Sequence, residues 1–176
     1  MIKFEFKKLT SQNDTNTLVT FVFSGGEKGK KESALIGQCS SSVKTLLSSA
    51  NEISGKLKET ILFRNANCDG FKNVVSVGLG DKSKFSLDIL RQASACALKE
   101  LNSAKVESVA FNLNSLALTK GKKDLLAQAM VEGITLGGYN FDEYKKDKEK
   151  KEGKLKLVVI ASDSQADQKQ VASGII

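Results

Sequence analysis

The sequence predicts an α/β fold, in which helices flank a β-sheet. Strand-like segments alternate along the chain with segments whose apolar residues recur every three or four positions, a pattern typical of α/β domains. Hydrophobic residues make up 40% of the 176 residues and charged residues 27%, which is ordinary for a globular protein and unlike a disordered chain. A chain of this length is expected to form one domain, or a domain with a tail, around a sizeable core.

The first third of the chain predicts two strands followed by a helix. Residues 2–7 alternate apolar and charged side chains, and residues 17–23 form a β-branched and aromatic run that suits a buried strand. The glycine-rich residues 25–29 then interrupt the chain. Residues 33–51 are predicted to be helical because their apolar residues recur at spacings of three and four.

The middle of the chain repeats the strand and helix patterns. Strands are expected near residues 60–64 and at residues 73–79, and residues 106–113 return as a strand. Between them, residues 86–102 predict a helix whose first amides Ser86 can cap. The core-facing residues of this helix are expected to be Ile89, Leu90, Ala93, Ala97 and Leu101.

A third helix is predicted over residues 122–138. Its core-facing residues are expected to be Leu125, Leu126, Ala129, Met130, Gly133, Ile134 and Gly137. Glycine in a helix interior costs up to about 1 kcal/mol relative to alanine. Gly133 and Gly137, one turn apart, therefore indicate a flat surface that lies close against other backbone.

The last part of the chain predicts a lysine-rich loop, a strand and the start of another helix. The loop covers residues 145–156, and residues 155–161 form the most hydrophobic strand. Asp163 or Ser164 can cap a helix over residues 166–176, whose apolar face has nothing after it. We expect the chain to end at a domain boundary, inside or just before a linking helix.

The residue types that the sequence lacks exclude several kinds of catalytic site. The chain has no His and no Trp, and its three cysteines form no CxxC pair, so a zinc site or a Ser/His/Asp relay is not expected. The odd number of cysteines and the lack of an apolar signal segment indicate the cytoplasm. No run of about 20 apolar residues indicates a membrane span.

The remaining candidate sites each have a plain structural interpretation. Gly78-Leu79-Gly80-Asp81 could cradle a phosphate, but position 83 is Ser, so GxGxxG fails and a simple strand-to-helix turn is favoured. Neighbouring carboxylates such as Asp142 and Glu143 point in different directions and form no acid/base pair. Cys39 and Cys96 are expected on apolar helix faces, as core residues without a nearby cation. The sequence thus names no catalytic, cofactor-binding or metal-ligating residue.

Two motifs carry a resemblance to a known family. Residues 75–80 (VSVGLG) and residues 129–145 (AMVEGITLGGYNFDEYK) resemble the N-terminal domain of the leucyl aminopeptidase (cytosol aminopeptidase) family. The resemblance extends over nearly the whole chain, although residues 1–60 match in pattern only. It implies a three-layer, macro-domain-like mixed β-sheet over residues 1–162, with residues 163–176 beginning the helix that links to a C-terminal catalytic domain.

The resemblance also implies what the complete enzyme does. It would be a cytosolic homohexamer that releases N-terminal residues, often leucine, from peptides by means of two divalent ions, Zn or Mn. The family places the metal ligands, and the signature Asn-Thr-Asp-Ala-Glu-Gly-Arg-Leu, in the C-terminal domain, and this signature is absent here. Lys145 belongs to the N-terminal motif and is not expected to be the metal-binding lysine. This chain alone is expected to be inert, to assist oligomer assembly and to shape access to the active site.

Two alternatives remain open for the chain itself. A macro-like crevice could bind a nucleotide or ADP-ribose. The net charge of +7 and the pI near 9.3 could instead mark a DNA-binding surface, whose affinity would fall steeply with salt. Residues 142–156 contain seven lysines but also five acids, which is more typical of a solvated loop than of a nucleic-acid interface.

Overall fold

The computed structural model describes residues 2–9, 15–25, 33–37, 39–138 and 155–163. These residues form a sheet of seven strands, three α-helices and two short 3₁₀ turns. The elements in chain order are β1 Lys3–Lys7, β2 Thr17–Gly25, β3 Ser33–Ile36, α1 Ser41–Ser49, β4 Thr60–Phe63, β5 Asn73–Asp81, a 3₁₀ turn Lys82–Lys84, α2 Leu87–Ser103, β6 Ser108–Asn112, a 3₁₀ turn Leu113–Leu116, α3 Lys123–Gly137 and β7 Leu157–Ala161.

The sheet is mixed, as predicted. Its strands lie in the order β1-β7-β6-β2-β5-β4, and β3 pairs with β2 outside this path. Strands β3 and β4 run antiparallel to their neighbours, and the other pairs are parallel. One edge of β2 is divided between two partners, since β6 pairs with Thr17–Val19 and β3 pairs with Val22–Gly25.

The two faces of the sheet carry different layers, which gives the predicted three-layer arrangement. Alternate residues of β2 point to opposite sides, so Val19, Phe21 and Phe23 join the core beneath α2 and α3. Leu18 and Val22 join a smaller core beneath α1. The prediction of an α/β fold with a helix-flanked sheet is therefore confirmed.

The helix predicted over residues 33–51 is wrong in its first half. Residues Ser33–Ile36 form β3, and α1 begins only at Ser41, after Ser40, whose Oγ accepts a hydrogen bond from the Val43 amide. The physical reason is that residues 33–36 pair with Val22–Gly25, a part of the β2 edge that β6 does not cover. A short apolar run fits a strand or a helix, and this tertiary pairing decides between them.

The two long helices agree closely with their predictions. Ser86 caps α2 by accepting a hydrogen bond from the Ile89 amide. A Cβ on Gly133 would lie 2.3 Å from the Arg91 carbonyl oxygen, which confirms the close approach of the α3 backbone to α2. One residue of the predicted core face is wrong, because Leu125 is 43% exposed. It lies in the first turn of α3, where its neighbour Leu126 makes the buried contact instead.

Several sequence predictions lie wholly or mostly outside the described residues. These are the lysine-rich loop at 145–156, the proposed helix at 166–176, and the aromatic and acidic residues of the family motif after position 138. Within the described part of the chain, no helix combines the length and the hydropathy that a bilayer crossing requires.

An ion pair joins α2 to α3 and gives the first prediction. Arg91 Nε lies 2.6 Å from Glu132 Oε2, and Gln128 Nε2 donates a 2.9 Å hydrogen bond to Oε1 of the same carboxylate. The Arg91 hydrogen bond, more than that from Gln128, holds the pKa of Glu132 below its usual range. We expect a titration followed by NMR to give a Glu132 pKa below that of a free glutamate, and Arg91→Met to raise it.

The sign of the effect on stability follows from that lowered pKa. The contribution of the Arg91–Glu132 ion pair to folding stability is present above the pKa that Glu132 has in the unfolded chain. It is lost as the pH falls through the lower pKa of Glu132 in the folded chain. Lys99→Met, at an exposed position on α2, is the control and should leave the Glu132 titration unchanged. An unchanged Glu132 pKa in Arg91→Met would contradict the assignment.

Candidate functional site

A cleft opens where the parallel strands β1, β6 and β7 reach their carboxyl ends, on the side of the sheet that α1 covers. Its volume is about 340 Å³. The lining residues are Leu9, Leu18, Cys39, Ser40, Val43, Asp69, Phe71, Asn112, Asn114 and Asp163. In α/β sheets, ligands bind preferentially at the carboxyl ends of the strands, so this cleft is the candidate site.

The cleft exists because this face of the sheet is thinly covered. The side chains that it presents at Thr20, Ala110 and Ala161 are small, and α1, of nine residues, is the one helix described on this side. Small side chains under a short helix leave open space on this face. On the opposite face, the longer helices α2 and α3 cover the sheet.

Two asparagines tie the ends of β6 and β7 together at the base of the cleft. Asn112 Oδ1 accepts a 3.0 Å hydrogen bond from the Asn114 amide. Asn114 Oδ1 accepts from the Ser162 hydroxyl at 3.3 Å and from the Asp163 amide at 3.5 Å. Asn114 Nδ2 is buried without a hydrogen-bond partner. The pair therefore orders the strand ends and leaves one amide donor unused.

Cys39 was predicted on an apolar helix face, but the structure places it in the cleft. Its Sγ is 3.2 Å from Thr20 Oγ1 and 3.5 Å from Asn112 Nδ2, in the extended segment before α1, because the helix begins later than expected. Burial raises the pKa of this thiol above its ordinary value. The group is accordingly a neutral thiol at pH 7 and a poor nucleophile. Cys96, on α2, is half-buried and not a fully buried core residue.

The described residues that line the cleft carry a net negative charge. Asp69 and Asp163 contribute carboxylates, and Asp69 Oδ1 accepts a 2.7 Å hydrogen bond from the Ser42 hydroxyl. No lysine or arginine occurs among the described residues that line the cleft. This arrangement disfavours a polyanion and suits a neutral or cationic group.

The Gly78-Leu79-Gly80-Asp81 segment does not form a phosphate-binding loop. The Gly78 amide donates to the Glu59 carbonyl at 2.8 Å, and the Gly80 amide donates to the Gly55 carbonyl at 2.9 Å. These amides are thus engaged by residues 53–59, and Asp81 accepts from the Ser83 amide to cap the following 3₁₀ turn. The structure favours the plain strand-to-helix connection.

The described residues also offer no fit for a metal centre. Among them, no three His, Cys, Asp or Glu side chains are grouped so that they could hold an ion. The two divalent ions implied for the complete enzyme therefore find no matching ligand set in the described part of this chain.

The polar residues of the cleft are not among the residues predicted from the sequence as a site. Asn112 lies near the end of the predicted strand 106–113, Asn114 follows that strand, and Asp163 comes two positions after the strand 155–161. Polar residues at the carboxyl ends of two buried parallel strands are a usable signal. Only Asp163 is given a role in the sequence predictions, as a possible helix cap, because the neighbour relation of β6 and β7 is not evident from the chain order.

Sequence comparison places the chain in a known group. The sequence profile of the N-terminal domain of the cytosol aminopeptidase family matches residues 19–148. A relative from Bdellovibrio bacteriovorus, described as a probable cytosol aminopeptidase, is 34% identical over 145 residues. The alignment covers 78% of this chain and 28% of that relative, so the chain spans less than a third of the relative's length.

Structural comparison finds the same fold in two kinds of protein. A mutant of tomato leucine aminopeptidase matches with a TM-score of 0.65 and 18% identity, over 99% of this chain and 35% of that one. A Trypanosoma brucei macrodomain in complex with ADP-ribose also matches with a TM-score of 0.65, at 13% identity, over 98% of this chain and 69% of that one. At these identities the likeness shows the fold alone, and the predicted macro-like architecture is confirmed.

Proposed function

This chain belongs to the cytosol aminopeptidase family as its N-terminal domain, and from that membership we propose that it is a non-catalytic domain of a leucyl aminopeptidase. The observation that carries the proposal is the family match over residues 19–148. Burial keeps the Cys39 thiol protonated, which supports a role in which this thiol is not a nucleophile.

The proposal extends to the protein of which this domain is part. A C-terminal domain in the same polypeptide would hold two divalent ions, Zn or Mn, and release N-terminal residues from peptides in the cytoplasm. The N-terminal domain would contribute to assembly of a homohexamer and shape access to the active site. The division into residues 1–162 and a linking helix at 163–176 stays a prediction.

The direct test is an activity assay of the 176-residue chain. With leucine p-nitroanilide and added Mn²⁺ or Zn²⁺, we expect no turnover above the blank, because the ligands that activate water in a two-metal site are assigned elsewhere. Tomato leucine aminopeptidase, assayed in parallel, is the positive control. Turnover that co-purifies with the chain and disappears with a chelator would refute the proposal.

The cleft supports a second candidate function, the binding of a nucleotide such as ADP-ribose. The favourable observation is its place at the carboxyl ends of three parallel strands, with a volume of about 340 Å³. The negatively charged carboxylates of Asp69 and Asp163 would repel a pyrophosphate group, so nucleotide binding ranks second. A rise in melting temperature with ADP-ribose that Asn114→Leu abolishes would favour it, and no shift at millimolar ligand would exclude it.

A further inference from the structure

A second concave surface lies on the opposite side of the sheet, where α2 and α3 begin. We call it the α2–α3 groove, and its volume is about 390 Å³. Its apolar floor includes Phe85, Leu118 and Leu125, and its rim includes Lys82, Lys120 and Lys122. All of its lining residues belong to the described part of the chain.

The floor of the groove is fixed by the core beneath it. The ring of Phe85 packs edge-on against the fully buried Phe23, with ring centroids 5.6 Å apart. Phe85 and Leu118 are both packed against the larger core. The groove is consequently preformed, and a bound segment would not have to order it first.

Leu125 extends this apolar floor to the surface. Its side chain is 43% exposed in the first turn of α3, whereas the adjacent Leu126 is 2% exposed. Helix α3 thus carries apolar residues on its outer side as well as on the side that contacts α2. A helix that is apolar on more than one side is generally covered on more than one side.

The charged residues at the rim of the groove indicate the charge that a binding partner would carry. Three lysines and no acidic residue line the groove. The nearby Asp81 carboxylate is turned toward Ser83, from whose amide and hydroxyl it accepts hydrogen bonds at 2.9 and 2.8 Å. A partner that places carboxylates opposite Lys82, Lys120 and Lys122 would complement this charge.

We propose that the α2–α3 groove docks a protein segment that carries apolar side chains next to carboxylates. The floor is mostly aliphatic, with Phe85 as the one aromatic residue in the lining. This favours a protein segment over nucleic acid, because single strands are held mainly by stacking on aromatic rings. Leu125 would be the apolar anchor, and the lysine rim would orient the segment and speed its association.

The test is a selection from phage-displayed random dodecapeptides on the immobilised 176-residue chain, followed by affinity measurements on the enriched peptides. We expect enriched sequences that combine Asp or Glu with Leu or Phe, and binding that weakens with salt. Leu125→Ser and Lys120→Glu should each weaken binding at least about tenfold, the first by removing the apolar anchor and the second by placing a like charge against the acidic segment.

Matched controls separate the groove from the rest of the surface. Leu136→Ser removes a leucine that is 71% exposed on the same helix but outside the groove, and Lys99→Glu reverses a charge on α2; neither should change the affinity. Enrichment of basic peptides, no enrichment, or equal affinity of the groove and control variants would overturn the proposal. So would tighter binding of duplex DNA, or a dimer in sedimentation that Leu125→Ser dissociates.

Discussion

Replacing Gly78 with alanine is expected to lower the free energy of unfolding by about 3 kcal/mol, the upper end of the usual range for overpacking. A Cβ at this position would lie 1.9 Å from the Lys56 carbonyl oxygen. That neighbour is backbone and cannot move aside by changing a rotamer. Residues 53–59 would have to lift off β5, which also weakens the hydrogen bonds between Gly78 and Glu59 and between Lys58 and Gly78. Urea denaturation followed by circular dichroism measures the change.

Gly138→Ala is the matched control for this substitution. Gly138 has a negative φ of −83° and is exposed after α3, and its added Cβ would approach no atom closer than 3.3 Å. The change in unfolding free energy should stay within about 0.5 kcal/mol. Equal stabilities for the two variants would show that residues 53–59 do not press on Gly78 as described.

Replacing Ser115 with alanine is expected to cost about 1–3 kcal/mol of stability, the range for a buried group left without its partner. Ser115 is fully buried. Its Oγ accepts a 3.1 Å hydrogen bond from the Phe21 amide and donates a 2.7 Å hydrogen bond to the Asn112 carbonyl. The Phe21 amide lies in the stretch of β2 between the residues paired with β6 and those paired with β3. Without the hydroxyl, this amide has no substitute acceptor in the sheet.

Hydrogen exchange gives this prediction a local readout. The Phe21 amide should lose much of its protection in Ser115→Ala, while other β2 amides keep theirs apart from the global change in stability. Thr119→Ala is the control, because Thr119 also donates to a carbonyl, that of Leu116, but is partly exposed, so water can replace the bond. Unchanged protection at Phe21 would contradict the bridging role of Ser115.

The elements that were predicted well are those whose signals are local. The buried run at residues 17–23 and the Ser86-capped helix appear in the structure within about two residues of their predicted limits. In each case apolar spacing, capping and tertiary packing favour the same conformation. The same holds for Gly133, where a costly helix residue correctly indicated close packing against α2.

The parts that were missed depend on neighbours distant in the sequence. Residues 33–36 form a strand because they pair with Val22–Gly25 of β2, and the short segment alone does not indicate this pairing. The exposure of Leu125 depends on which side of the first turn of α3 contacts the core, where Leu126 is buried and Leu125 is not. The cleft depends on β6 and β7 lying side by side, so Asn112, Asn114 and Asp163 are recognisable as one site only once the strand order is known.

The divided edge of β2 has a consequence for how this protein folds. Strand β3 is the next strand after β2 in the chain, so the two can form a hairpin early, whereas Phe21 and Ser115 are 94 residues apart and meet late. A hairpin that is already present keeps β6 from pairing with Val22–Gly25, because β3 occupies that part of the β2 edge. The early β2–β3 hairpin would then limit how far β6, which is synthesised much later, can pair along β2, and so fix its register.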